Sequence, residues 1–324
     1  MWDFEIGKTL GLMARTFPFI LLRMLVFFGI TIAYLAAIGI GGAIGYGIGH
    51  ISSDPDAQGG FAFWGAIIGF GVVSLGVYWV REYLLYLVKA GHIAVLVHLI
   101  EGREVPGGQG QLAYGRQVVE ARFAETNVLF ALDQLIKGAV GAITGLVGAV
   151  GSFLPIPGLS GIIDFINSII RMSLTFVDEI ILGYNIRIES QNPWETAQEG
   201  IVLYAQNGRA MIKNAVWLTL IMWGISVLVF FFMLAPTGAL LYLYPGQLGG
   251  WAFALAFVFA WAFKAALLEP FAIAALMSVY FKVIEGQTPD PEWLAKLNNA
   301  SAKFRDIGQK ALDWMRGRPA AAAG

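Results

Sequence analysis

Residues 213–264 read KNAVWLTLIMWGISVLVFFFMLAPTGALLYLYPGQLGGWAFALAFVFAWAFK, and between the terminal lysines there is no Asp, Glu, Lys or Arg. One helical crossing of a bilayer takes about 20 apolar residues, so this stretch is long enough for two. The reading is an all-α, polytopic membrane bundle. Composition agrees. Of the 324 residues, 57% are hydrophobic and 13% charged, and the mean hydropathy is +0.68. A soluble domain carries about 25% charged residues, and this chain has too few for a polar coat.

Two further apolar stretches lie upstream. Met24 to Ser53 has no charged residue, which places a first crossing within about 18–48. Ala57 to Val80 is a second, continuing into REYLLYLVKAGHIAVLVHLIEGRE. Residues 2–22 read as an interfacial helix that leads into the first crossing and is retained, not cleaved, because no basic start precedes it and no small-residue cleavage site follows. Two later crossings fall at about 214–234 and from Gly250 to Lys282. These make four.

Positive charge sets the orientation. Lys8, Arg15 and Arg23 precede the first crossing, and Arg81, Lys89, Arg103, Arg116 and Arg122 follow the second. The loop 50–60 holds Asp54 and Asp56 and no Lys or Arg. Basic loops stay in the cytoplasm, so the N-terminus is expected inside, the C-terminus likewise, and the protein in a bacterial inner (plasma) membrane. Tyr78, Trp79, Tyr83, Tyr86, Tyr242, Tyr244 and Trp251 read as interface anchors.

The middle of the chain allows two readings. Residues 138–163 are uncharged, glycine-rich and broken by Pro155-Ile156-Pro157-Gly158. They form either a re-entrant hairpin or, as 127–154 and 159–184, two further crossings that bring the total to six. Four segments follow: 1–101 with the interfacial helix and first two crossings, 102–212 with a Gly-rich loop, amphipathic helices and the hairpin, 213–284 with the last two crossings, and a cytoplasmic tail 285–324. Cytoplasmic amphipathic helices are expected at about 81–101, 113–136, 193–207 and 290–316. Asn192 suits a helix cap, with Pro193 first in the helix and Glu195 in the capping-box position. In the tail, Trp293, Leu297, Ala300, Phe304, Ile307 and Ala311 recur at spacings of three and four and form one apolar stripe. Such a stripe lies on lipid, docks on the protein itself or pairs in a coiled coil.

Asp164, Asn167, Arg171, Thr175 and Asp178 share one face of a helix that is otherwise apolar. Inside a membrane these groups would line a solute or ion path; on a surface they would simply be solvated. Lys264 and Glu269 sit within the last crossing, five residues apart and therefore on different faces of an α-helix, and Pro270 breaks that helix's hydrogen bonding. An ionisable residue in a span is by default a functional hypothesis; the alternative is pairing of Glu269 with Arg209 or Lys213 at the leaflet edge. Glycines four apart permit close helix packing in lipid: Gly41, Gly45 and Gly49, Gly65 and Gly69, and Gly141 and Gly145. They would pack the chain's own helices or a homo-oligomer.

Several classes are disfavoured. A net charge of −1 argues against a nucleic-acid partner. The absence of cysteine removes disulfides, thiolate metal sites and cysteine nucleophiles. His50, His92 and His98 lack paired metal spacing, and no hydrolase, phosphate-loop or metalloprotease motif is present, so no catalytic set, metal or cofactor is expected.

Tyr184-Asn185 followed by QNPWETAQEGIVLYAQNGRAMIKNAV (191–216), with Ala197, Glu199, Gly200 and Asn207 in a short helix before an apolar crossing, resembles the choline transporter-like family, as does the later run VYFKVIEGQTPDPEWL (279–294). The likeness covers about 180–297 and implies a transporter-like architecture. The family's ten or so crossings, external domain and cysteines have no counterpart here, and no site residue is carried across. The expected function is therefore a permease for a small solute or ion in contact with the lipid bilayer, not an enzyme. The alternative is a non-catalytic membrane scaffold that binds lipid or protein partners through its amphipathic helices.

Overall fold

The structure is a computed structural model that describes residues 2–51, 57–105, 109–122, 126–148, 174–189, 191–242 and 249–317. Among the described residues every regular element is a helix. In chain order these are α1 (Ile6–Arg15), α2 (Phe17–His50), α3 (Ala57–Ile100), α4 (Gln111–Arg122), α5 (Thr126–Gly148), α6 (Val177–Ile188), α7 (Pro193–Gln206), α8 (Gly208–Tyr242), α9 (Gly249–Phe263), a π-turn (Lys264–Leu268), α10 (Glu269–Val283), α11 (Pro291–Ala300) and α12 (Ala302–Gly317). Four stretches are long and apolar enough to cross a membrane: Phe17–His50, Ala57–Gly76, Gly208–Ala239 and Ala256–Val283. The hairpin expected within 138–184 lies largely outside the described residues, as do the side chains of the seven expected interface aromatics.

Local chemistry sets the helix ends. Pro18 stands in the first turn of α2, where a missing N–H leaves no internal bond unmade. Asn192 caps α7, its side chain accepting from the Glu195 N–H. The Asn192 amide donates in turn to Glu195 and to the Ala311 carbonyl of α12 at 3.1 Å. Asp290 caps α11 in the same way, above Pro291.

The chain forms two compact units. Unit 1 comprises Met1–Phe19, Lys89–Gly224 and Leu268–Gly324. At its centre α6 is buried from Val177 to Ile186, against α5, α7 and α10. Tyr280 of α10 donates to the Gly200 carbonyl at 2.9 Å, and its ring meets those of Tyr184 and Tyr204. Unit 2 comprises Ile20–Val88 and Ile225–Leu267. Its helices carry most of the chain's exposed large apolar side chains, including Ile40, Ile44, Phe63, Trp64, Phe231 and Phe232. Outward apolar residues on spans of this length suit a lipid surround.

Two expectations need correction. The segment 2–22 is not a single interfacial helix: α1 ends at Arg15 and packs its inner face (Thr9, Leu12, Met13) in unit 1, where α1 contacts α10. Thr16 marks the break, its hydroxyl donating to the Leu12 carbonyl and lying 2.9 Å from His92 Nε2. The tail is two helices, because Ser301 is extended and caps α12 through the Phe304 N–H. Its stripe is used internally: Leu297, Phe304, Ile307 and Ala311 are buried as α12 packs on α5 and α7, while Trp293 is half-buried and Ala300 exposed. The last span stands as a candidate crossing, and its residues from Ala272 to Ala275 and on to Phe281 are covered by protein.

Candidate functional site

The glycine ladder in unit 2 brings α2 and α3 into backbone contact. A Cβ added at Gly41 would strike the Gly65 carbonyl, and one added at Gly65 would strike the Gly41 carbonyl. Gly45, Gly49 and Gly69 face Phe61, Gln58 and Ala37 in the same manner. Gly141 differs: nothing lies where its Cβ would stand, so among the described residues it packs no helix closely. Gly145 lies in α5, and its surroundings are outside the described residues.

The last span is interrupted at Lys264–Leu268, where the helix widens to a π-turn. Proline explains the break. In a π-turn the Ala265 carbonyl would look to the amide five residues on, and residue 270 is a proline without N–H. The orphaned carbonyl finds a side chain: Arg23 Nη2 donates to Ala265 O at 2.9 Å. Arg23 is 1% exposed although it stands within the first candidate span. Phe27 lies beneath the guanidinium at 5.9 Å and meets Trp261 edge-on, in a cluster with Ala262, Ala265 and Ala266. Lys264, half-buried, opens the π-turn, and Glu269, also half-buried, is the first residue of α10. Sequence reading had counted Arg23 as an edge charge. The orphan carbonyl that Pro270 creates was the signal that an internal donor would be needed.

Unit 1 holds a second polar site. Asp178 and Glu179 are both 6% exposed on α6. Lys89 Nζ sits 2.9 Å from Glu179 Oε1. Lys137 Nζ sits 2.7 Å from Asp133 Oδ2, one turn away on α5, and 3.6 Å from Asp178 Oδ2. Burial, the adjacent Glu179 and Asp133 push the Asp178 carboxyl well up, against the pull of Lys137. Burial alone would raise Glu179 too, but the Lys89 charge, helped by the adjacent Asp178 side chain, brings it down to about 2. Burial disfavours the Lys137 ammonium, and Asp178 and Asp133 more than offset this, so Lys137 is raised.

Of the predicted stripe, the structure places Asp178 in this cluster and Thr175 exposed three residues before it. Asp164, Asn167 and Arg171 lie outside the described residues. Sequence reading missed Lys89, Asp133, Lys137 and Glu179. The spacing of Asp133 and Lys137, four apart in a helix whose Leu132, Ile136 and Ala139 are buried, was a usable sign. Among the described residues no group of three or more His, Asp or Glu is placed to hold a metal ion. Comparison with protein-family models, with curated proteins and with solved structures gives no match.

Proposed function

We propose that the protein is a permease that moves a small solute or ion across the inner membrane of a bacterium, with both termini in the cytoplasm. One observation carries this reading: Arg23 is buried in an apolar span and bonded to a carbonyl that a helix break exposes. A charge inside an apolar span is costly, increasingly so toward the bilayer centre, and such residues mark solute and ion paths. Interrupted helices with exposed carbonyls are where transporters hold their cargo. Lys264 adds a second charge at the same turn. The resemblance of residues 180–297 to the choline transporter-like family agrees with this reading.

A scaffold is the second reading, and α1 favours it. Ile6 and Leu10 stay exposed beside Lys8 and Arg15, a combination suited to an anionic lipid surface. The tail offers less, since its apolar stripe is already docked.

The test is flux through the full chain in sealed liposomes, with K+, Na+, Cl−, protons and choline as probes. The permease reading expects one of these to move faster than in empty vesicles. It also expects Arg23→Gln or Glu269→Gln to cut that rate at least tenfold in protein that still assembles. No flux of any probe, or variants that conduct like the parent, sinks the reading.

A further inference from the structure

The ion cluster of unit 1 does not balance as drawn. Asp133, Asp178 and Glu179 supply three carboxyls, whereas Lys89 and Lys137 supply two ammonium groups. Fully ionised, the described group would carry one uncompensated negative charge, with its three carboxyls buried. A buried charge without a partner is strongly destabilising.

Among the described residues no other cation makes up the difference. Lys303 of α12 lies against Gly138, but its ammonium is directed to Asp306 at 4.0 Å. The faces that α7 and α10 turn to α6 bring Tyr204, Tyr280 and Glu199, and these gather around Tyr184. Within the cluster the cations are unevenly shared. Glu179 and Asp133 each have an ammonium within 3 Å, while among the described residues the cation nearest Asp178 is Lys137 at 3.6 Å, already bonded to Asp133. Glu179 Oε2 is buried and accepts no hydrogen bond from any cationic, amide or hydroxyl donor among the described residues. A proton on Asp178 cures both faults. It cancels the surplus charge and supplies a donor to the carboxylate beside it.

We propose that this cluster is a proton-binding site, in which one exchangeable proton is held on the Asp178 carboxyl against Glu179 and leaves to water along Lys137. On release the O–H bond of Asp178 breaks, its electron pair stays on the carboxylate, and the proton goes to water. Lys137 is the route because it is the most exposed group of the cluster, with 48% of its side chain exposed against 29% for Lys89. It is also the group that answers the new charge, closing on Asp178 at the expense of Asp133. The site stands apart from the permease reading: a chain that conducts nothing would still bind this proton.

Infrared spectra of the full chain in lipid nanodiscs, stepped through pH, test it. A protonated-carboxyl band should be present at neutral pH, fade as pH rises, and be missing from Asp178→Asn. Two variants that keep Asp178 make the test independent of whether that substitution folds. Asp133→Asn removes the surplus charge and frees Lys137, so the titration should move down by about one unit or more. Lys137→Met removes the cation nearest to Asp178 among the described residues, so it should move up by about one to three units. Absence of a titrating carboxyl band in the parent, its persistence in folded Asp178→Asn, or shifts of the two variants in the same direction would overturn the proposal. Liposome flux is not part of this readout, so failure here and failure of the permease reading are told apart.

Discussion

The two units use the same residue types in opposite ways. Unit 2 turns Ile, Phe and Trp outward along α2 and α3, whereas unit 1 packs them inward around α6 and α10 and buries Asp178 and Glu179 among them. Their joints differ accordingly. In unit 2 the close contact is backbone on backbone through glycine, since lipid gives apolar side chains no reason to leave it. In unit 1 most contacts are large side chains and paired charges, with one glycine backbone contact between Gly91 and Gly115. The last apolar stretch belongs to both, its first half to unit 2 and its second to the core of unit 1. High hydropathy therefore has two causes in this chain, and only exposure separates them.

The largest effect should come from stranding a charge. Lys89→Met leaves Glu179 buried without its cation and should destabilise unit 1 by about 3–5 kcal/mol, read as a lower melting temperature in detergent or nanodiscs. The parent's pH profile supports the same pair. Glu179 is held below its ordinary value, so its contribution is full above pH 4.5 and is lost as pH falls from there toward about 2. Asp178 works in the reverse sense: its raised carboxyl stabilises below its ordinary value of 3.8, and that contribution declines as pH rises from there. Acid melts of the parent should therefore show a stability loss below pH 4.5 that Lys89→Met lacks.

A matched pair of leucines measures the contrast directly. Leu276 of α10 is 0% exposed and Leu228 of α8 is 69% exposed. Leu276→Ala should cost about 2–5 kcal/mol, the usual range for a core cavity. Leu228→Ala should change stability by less than about 0.5 kcal/mol, because lipid takes the place of the lost methyls. Equal losses would mean that the outward side chains of unit 2 are covered by something other than lipid.

Gly41→Leu probes the glycine joint. The new side chain meets the Gly65 backbone, which cannot rotate away, and a loss of about 1–3 kcal/mol or failure to assemble is expected. The same change at Gly141, where the space is open, should be nearly silent. Smallest is Asn192→Ala, which removes the α7 cap and the bond to the Ala311 carbonyl, for about 1 kcal/mol. Thermal melts of these purified variants rank them.

What the sequence disclosed followed the range of the interaction. The spans show as missing charges, and the cap at Asn192-Pro193-Glu195 is local and legible. The division of the last stretch was not, because Ala272–Phe281 reads the same whether lipid or α6 lies beside it. The ion cluster joins residues far apart, Lys89 and Glu179 being 90 positions distant, and only half of it (Asp133 with Lys137, Asp178 with Glu179) is local. Arg23 has the same history: its partner carbonyl lies 242 residues on. The tail's stripe gave the buried face but not the break at Ser301, where a single extended residue turns the helix.

The interleaving of unit 1 has a consequence for how the protein is made. Its core gathers Met1–Phe19, Lys89–Gly224 and Leu268–Gly324, so α1 emerges from the ribosome long before its partner α10, and α6 before α10 and α12. The glycine joint of α2 and α3, close in sequence, can close while synthesis continues. Unit 1 must wait, with the carboxyls of α6 and the apolar faces of α5 and α7 uncovered, until the last helices arrive. The nascent chain is then at its most vulnerable to proteases and to wrong partners near the end of translation, in the unit that looks most like an ordinary water-soluble fold.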